Sequence, residues 1–209
     1  MERILIIGGN GAGKTTFAKA LAEKNQLPLV HLDALYWRDG WQPVPDEEFD
    51  RLLLQELQKP RWILDGNIRR TLPLRLQYCD TVLYFDFSRL ACLWGVVKRS
   101  LTHWGRTRPD LGGNCPEGLH FRFWKSVWTG HQRGRDSLYQ MLEGTHGVNV
   151  ILLKNRREAK KFLQGSSKKR CAALPACKSS QTFPEGLGSR AALTNQLENG
   201  TMGIIHSTV

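Results

Sequence analysis

No apolar run in this 209-residue chain approaches the roughly 18 residues that a membrane-spanning helix needs. The first apolar run stops after four residues at Gly8, so the sequence lacks the pattern of a secretory leader. Cysteines are few, odd in number and without a C-x-x-C pair, a pattern typical of neither a disulfide framework nor a zinc ribbon; they are Cys79, Cys92, Cys115, Cys171 and Cys177. We therefore expect a cytoplasmic protein with free thiols and no membrane partner.

The excess of positive charge is confined to one part of the chain. Residues 1–97 carry 12 Lys/Arg and 12 Asp/Glu. Residues 98–170 carry 16 Lys/Arg and 5 Asp/Glu, and the difference between these two numbers equals the whole net charge of +11. Residues 171–209 add 2 of each. Two interpretations stay open: an arginine-rich flap that closes over phosphates, or a patch that binds nucleic acid with release of counterions.

Apolar runs alternate with helical patterns along the chain. The runs predict five buried parallel strands, at about 3–7, 28–32, 61–65, 81–86 and 148–153. Amphipathic segments between them predict crossover helices, one with Phe17, Ala18 and Leu21 on one face and another that starts at Pro45. This alternation predicts an α/β fold with a doubly wound parallel sheet and with ligands at the carboxyl ends of its strands.

A long insertion separates the fourth and fifth predicted strands by about sixty residues, which is more than one crossover helix needs. It contains two helical patterns, at 89–101 and 121–142, around a loop broken by Gly and Pro. We expect residues 99–142, approximately, to form a small lid. The second helix would place Phe121, Trp124 and Trp128 on one face, where we expect them to pack within the lid.

The character of the sequence changes after Leu163. Residues 166–209 are polar, contain Ser, Gly and Pro, and show no sustained periodicity. We therefore expect one domain over residues 1–165 and a disordered tail over residues 166–209.

Directly after the first predicted strand, eight residues fit G-x-x-x-x-G-K-[ST]: Gly8, Gly9, Asn10, Gly11, Ala12, Gly13, Lys14 and Thr15. The glycines let successive backbone N–H groups point inward around the phosphates of a nucleotide. A helix that starts at Lys14 would direct its positive dipole at the same phosphates, while Lys14 adds a charge and Thr15 offers a hydroxyl to Mg²⁺. With the adjacent Thr16, this segment predicts a site for a nucleoside triphosphate.

Two carboxylates lie where predicted strands end, and both ends would open near the phosphate loop. Asp65 is predicted to orient Mg²⁺, the alternative being a cap for a helix or turn. Asp33 is predicted to face the acceptor as a base or an anchor, the alternative being a cap for the next turn. After Asp33, Tyr36, Trp37 and Trp41 either wall an acceptor pocket or pack against the core.

Phosphoryl transfer requires positive charge around the transferred group and the exclusion of water. Arg99, Arg106 and Arg108 are the candidates on the lid, the last two in a turn that a glycine and a proline bracket. Their planar guanidinium groups can bind phosphate oxygens in pairs.

The motifs at residues 8–15, 31–37, 65–67 and 105–110 form an ordered series. This series resembles the adenylate-kinase-like P-loop proteins of the DNA topology modulation (FlaR-type) family. The resemblance implies a nucleoside-kinase-like three-layer fold with a five-stranded parallel sheet, an ATP·Mg²⁺ site at the phosphate loop, and a small helical and loop lid before the last strand. Residues 154–159 resemble the turn that lies over the adenine in such kinases, which implies ATP as the donor and Arg156 as a contact.

Two functions from different classes follow. The first is an ATP-dependent phosphotransferase that acts on a small-molecule acceptor, nucleotide-like or other, with Lys14, Asp33, Arg106 and Arg108 as catalytic residues. The alternative is a nucleotide-dependent nucleic-acid-binding protein, which would use the basic block at 98–170 and modulate DNA topology.

Overall fold

The computed structural model describes residues 1–119, 121–145 and 147–165. Its strands are β1 (Arg3–Gly8), β2 (Leu29–His31), β3 (Trp37–Arg38), β4 (Gln42–Pro43), β5 (Trp62–Asp65), β6 (Thr81–Phe85) and β7 (Asn149–Leu153). Its helices are α1 (Lys14–Asn25), α2 (Leu32–Tyr36), α3 (Asp46–Leu57), α4 (Leu72–Tyr78), α5 (Arg89–Thr102), α6 (Phe121–Glu143) and α7 (Arg156–Leu163). The tail predicted at 166–209 lies outside the described residues.

Five strands form one parallel sheet in the order β2-β5-β1-β6-β7, which confirms the predicted sheet. After β1 the chain crosses to β2 on one side, whereas after β5 it passes β1 and reaches β6 on the other side. Neighbouring strands with connections in opposite directions mark the point where α/β sheets bind ligands, at the carboxyl ends. The register places both Ile6 and His31 beside Asp65 at this point.

Helices cover both faces of the sheet, which makes three layers. In β1, Ile4 and Ile6 pack into the core under α1, α5 and α7, whereas Leu5 and Ile7 pack into the core under α3 and α4. Burial on both faces explains why the strands are continuous apolar runs in the sequence. In the part of the chain that the structure describes, no helix is long and apolar enough to span a membrane.

The insertion between β6 and β7 consists of α5, a loop at 103–119 and α6. The loop is fastened to the β3–β4 hairpin, because Gly40 N donates to Asn114 O at 2.9 Å and Trp41 Nε1 donates to Pro116 O at 3.1 Å. Trp41 therefore fastens this loop and does not line the predicted pocket. Two rings expected to pack within the lid do so only in part. Phe121 contacts Trp124, with 5.0 Å between ring centres, and Trp128 lies beneath Arg89, but Phe121 is 69% and Trp128 38% exposed.

Helix α4 carries an arginine in the protein interior. Arg75 is fully buried, and its guanidinium donates to three backbone carbonyls, those of Gly66 at 3.1 Å, Thr71 at 3.4 Å and Ile68. Burial lowers the pKa of this guanidinium, so its charge is held at an energetic cost. The three carbonyls belong to the turn after β5, and Arg75 therefore fixes the chain that directly follows Asp65.

Replacing Arg75 with methionine would leave those three carbonyls without donors. We expect the free energy of unfolding to fall by roughly 2–4 kcal/mol, because buried unsatisfied acceptors are expensive. Urea unfolding followed by circular dichroism measures the change. Arg51→Met, at an exposed position of α3, is the control and should stay within about 0.5 kcal/mol of the parent protein. Equal stability of the two variants would contradict the role given to Arg75.

Candidate active site

The phosphate loop connects β1 to α1 through backbone conformations that favour glycine. Gly8, Gly11 and Gly13 have φ values of 141°, 79° and 88°. Gly13 caps α1 without a side-chain hydrogen bond, so the first N–H groups of the helix are left for a ligand. This arrangement is the one that binds phosphate at a helix N-terminus.

The loop rests directly on α5. A Cβ atom at Gly11 would collide with the backbone carbonyl of Cys92, and a Cβ atom at Gly95 would collide with the carbonyl oxygen of Gly11. A Cβ atom at Gly9 would lie 2.8 Å from the Cys92 sulfur. The first helix of the insertion therefore supports the loop through backbone contacts that allow no side chain at Gly11 or Gly95.

Lys14 lies inside the loop that it follows. Its ammonium donates to Gly9 O at 2.8 Å, and the residue is buried. Burial lowers the pKa of Lys14, and the nearby carboxylates of Asp65 and Asp33 act in the opposite direction. A positive charge with two carboxylates close by suits the centre of a phosphoryl-transfer site.

Asp65, at the end of β5, contacts the start of α1 and the end of β2. Thr15 Oγ1 donates to Asp65 Oδ2 at 2.7 Å, and His31 Nδ1 lies 3.3 Å from the same oxygen. The second oxygen, Asp65 Oδ1, is buried without a hydrogen-bond partner in the described residues. The structure thus places the two predicted Mg²⁺ residues in contact.

A bound Mg²⁺ fits this donor set. A hydroxyl and a carboxylate with an unused buried oxygen are hard ligands of the kind that Mg²⁺ selects, and it commonly takes only one or two of them from the protein. Within the described ranges, no group of three or more His, Cys, Asp and Glu side chains is arranged to hold a metal. The remaining ligands would come from phosphate oxygens and water.

Asp33, in α2, faces the loop at 103–119. Arg108 Nη2 lies 3.8 Å from Asp33 Oδ2, while the same guanidinium contacts Asp110 at 2.6 Å and Glu117 at 2.7 Å. Arg108, Asp110 and Glu117 are all buried, and the contact with Glu117 lacks the alignment of a hydrogen bond. Arg108 thus connects the loop to Asp33 through charge.

The Asp33 carboxyl is partly enclosed, with a side chain that is 42% exposed. Burial raises its pKa above the ordinary value for aspartate, and the charge of Arg108 opposes that shift.

Arg99 reaches the same cluster from α5. Its Nε lies 3.2 Å from Glu117 Oε1, so that one carboxylate stands between Arg99 and Arg108. Burial and the neighbouring charge of Arg108 lower the pKa of Arg99.

A cleft of about 880 Å³ brings these groups together at the carboxyl ends of the strands. The predicted residues that line it are Asn10, Gly11, Ala12, Gly13, Lys14, Thr15, Thr16, Asp33, Asp65, Arg99, Arg108 and Arg156. Gly8, Gly9 and Arg106 do not line it. At Arg106 the chain turns, with its N–H bonded to His103 O, and the side chain is exposed, so the structure does not bring this predicted catalytic residue to the cleft.

The sequence analysis missed His31, Asp110 and Glu117 as parts of the site. His31 ends β2 as Asp65 ends β5, and this position at a strand end was the signal available. Nothing local marks Glu117, because its partners come from α5 and from the other side of its own loop. Tyr36 and Trp37 line the cleft as one of the two interpretations proposed.

Comparison with solved structures finds shikimate kinases. The shikimate kinase from Acinetobacter baumannii in complex with shikimate superposes with a TM-score of 0.51 at 15% sequence identity, over 79% of this chain and 90% of that chain. The shikimate kinase from Bacteroides thetaiotaomicron gives a TM-score of 0.45 at 17% identity, over 78% of this chain and 95% of that one. The first likeness shows a P-loop kinase fold.

No family model and no curated protein matches the chain. Membership of the DNA topology modulation family is therefore not confirmed, whereas the P-loop kinase-like fold that the resemblance implied is.

Replacing Gly95 with alanine would force α5 away from the phosphate loop. We expect the affinity for Mg·ATP, measured by calorimetry, to fall at least about tenfold, because a displaced loop no longer directs its N–H groups at phosphate. Gly130→Ala is the matched control, since a Cβ atom there meets no atom within 4 Å and alanine favours the helix. Unchanged affinity in Gly95→Ala would show that the backbone contact with α5 does not shape the loop.

Proposed function

We propose that this protein is an ATP-dependent kinase that transfers the γ-phosphoryl group to a hydroxyl of a small molecule. The observation that carries the proposal is a single cleft in which a phosphate loop, the Thr15–Asp65 pair and a second carboxylate, Asp33, stand together. A protein that only binds a nucleotide has no need of that second carboxylate beside Lys14.

The donor end of the cleft is the phosphate loop. Its backbone N–H groups and Lys14 would hold the β- and γ-phosphates, and Arg156, at the start of α7, would flank the nucleotide. Thr15 and Asp65 would hold Mg²⁺, which neutralises phosphate charge when bound.

The acceptor end lies beside Asp33. The carboxylate would take the proton of the acceptor hydroxyl while the hydroxyl oxygen forms a bond to the γ-phosphorus. The bond between the γ-phosphorus and the β–γ bridging oxygen would break at the same time and release ADP. Arg108 would hold Asp33 in place through their 3.8 Å contact. Arg99 and Arg108 would supply positive charge to this wall, partly balanced by Glu117.

The size of the cleft agrees with two ligands. Its volume of about 880 Å³ falls in the upper part of the range for small-molecule sites, roughly 300–1,000 Å³. Tyr36 and Trp37 line the wall near Asp33 and offer apolar surface to the acceptor. We propose that residues 1–165 form the kinase-like domain and that residues 99–142, approximately, close the cleft as its lid.

The nucleic-acid alternative stays a prediction of the sequence. Arg106, Arg122, Lys125 and Arg133 are exposed in the basic block, whereas Arg99 and Arg108 face carboxylates. A salt titration of DNA affinity separates the two functions, because several phosphate contacts would give a steep dependence on salt.

Transfer of labelled phosphate tests the proposed reaction. ATP labelled on its γ-phosphate should label at least one acceptor in a panel of nucleosides, nucleotides, sugars and hydroxy acids, including the shikimate present in the Acinetobacter structure. A panel without any labelled product, from protein that binds Mg·ATP, would leave nucleotide binding in place and remove the kinase.

Lys14→Ala would remove the charge at the centre of the loop. We expect the affinity for Mg·ATP to fall at least about tenfold, since a charge-assisted contact with phosphate is lost. Calorimetry measures it, and Lys161→Ala, an exposed lysine of α7 outside the cleft, should bind as the parent does. Equal affinity in both variants would contradict the phosphate-binding role of the loop.

Asp33→Asn would keep the shape of the acceptor site and remove the base. We expect kcat to fall about 10²–10⁴-fold with little change in ATP affinity. Because the carboxylate is the active form, the parent activity should decline as pH falls through the raised pKa of Asp33, and this acidic limb should be absent in the variant. Parent-like kcat in Asp33→Asn would assign the proton transfer to another group.

A further inference from the structure

The outer side of α5 carries large apolar side chains that are open to solvent. Leu90 is 66%, Trp94 63% and Leu101 57% exposed, and on a helix these three positions fall in one narrow row with the partly exposed Val97. We call this row the α5 stripe. Trp104, two residues after the helix, continues it with 58% of its surface exposed.

The exposed apolar surface extends onto α6. The Arg89 guanidinium lies 4.5 Å from the centre of the Trp128 ring, and Arg99 lies 5.9 Å from the centre of Phe123. The two helices therefore run antiparallel, which sets the exposed Trp128 beside the first turn of α5. Phe121, at the other end of this part of α6, is 69% exposed.

Every charge close to this surface in the sequence is positive. Residues 89–109 and residues 118–135 contain no Asp or Glu. Basic side chains that are exposed in these two segments are Arg89, Lys98, Arg106, Arg122, Lys125 and Arg133. Such an apolar stripe with a purely basic border complements a surface that is apolar beneath a negatively charged layer.

We propose that the α5 stripe docks on an anionic membrane surface, with its tryptophans and leucines in the interface and its basic neighbours at the lipid phosphates. Tryptophan favours this zone because its ring is apolar and its N–H keeps a polar partner. The contact is peripheral, goes beyond the sequence expectation of no membrane partner, and does not depend on the proposed kinase activity.

Two other occupants fit the surface less well. A second copy of this chain would bring a basic border against a basic border, because α5 has no acidic residue to pair with Arg89 or Lys98. A nucleic acid would neutralise the charges but leave Leu90, Trp94 and Leu101 in water. A membrane surface satisfies both the charge and the apolar area.

Vesicle flotation with the full chain tests the proposal. The protein should float with vesicles of phosphatidylcholine containing about one-third phosphatidylglycerol, and it should not float with phosphatidylcholine alone. The double variant Trp94→Ser with Leu101→Ser should bind the anionic vesicles at least about tenfold more weakly, because it loses the inserted apolar area. Circular dichroism should show unchanged melting, since both side chains are exposed.

A charge-matched pair of variants separates local contact from net charge. Arg122→Glu with Lys125→Glu should weaken vesicle binding at least about tenfold, whereas Arg51→Glu with Arg61→Glu, which change the net charge equally at exposed positions of another region, should stay within about twofold. Failure to float with anionic vesicles, or parent-like flotation of the stripe variant, would overturn the proposal. A dimer in solution that Trp94→Ser with Leu101→Ser dissociates would overturn it in favour of a second copy.

Discussion

The carboxylate of Asp65 is the point on which the site depends. It ends β5, the register places it beside β1 on one side and His31 on the other, and its oxygen accepts the hydrogen bond from Thr15 at 2.7 Å. A shift of β5 by one residue would turn this carboxylate to the opposite face of the sheet. The loop at residues 8–15, the Thr15–Asp65 pair and Asp33 therefore keep their relative positions only while the parallel register holds.

Two supports keep that junction rigid from opposite sides. Arg75 binds three carbonyls of the turn after Asp65, and α5 meets the phosphate loop through Gly11 and Gly95. Both supports are contacts with backbone atoms and not packing between side chains, so Arg75, Gly11 and Gly95 each allow few substitutions. In the part of the chain that the structure describes, the buried Arg75 guanidinium has no carboxylate partner, and Gly95 of α5 has no side chain at its contact with the loop. Both features contribute little to stability, but they position the loop and the strand end accurately.

Much of the fold was predictable from the sequence because it depends on local pattern. Buried parallel strands appear in the sequence as apolar runs. The order of strand, glycine-rich segment and helix predicted the position of the loop at residues 8–15 and of Lys14. The short elements α2, α4 and the β3–β4 hairpin were not predicted, since five to seven residues or fewer carry too little periodicity. Arg106 and Arg108 could not be told apart by sequence, because their difference lies in the distant carboxylates of Asp33, Asp110 and Glu117.

The distribution of charge in the insertion then has a physical explanation in two parts. Arg108 is buried and Arg99 is partly buried, and the carboxylates of Asp110 and Glu117 offset the free energy of removing their charges from water, so both arginines belong to the cleft. Among the remaining basic residues of 89–135, Arg135 pairs with Asp86. The others are exposed, so their charge faces solvent; they are Arg89, Lys98, Arg106, Arg122, Lys125 and Arg133. Helix α5 separates the two sets, with Arg99 on the side of the cleft and Trp94 on the side of solvent. Because the same helix contacts the loop at residues 8–15 through Gly95, a ligand on its outer surface that moved the helix would also move this loop. A ligand that left the helix in place would leave the loop unchanged.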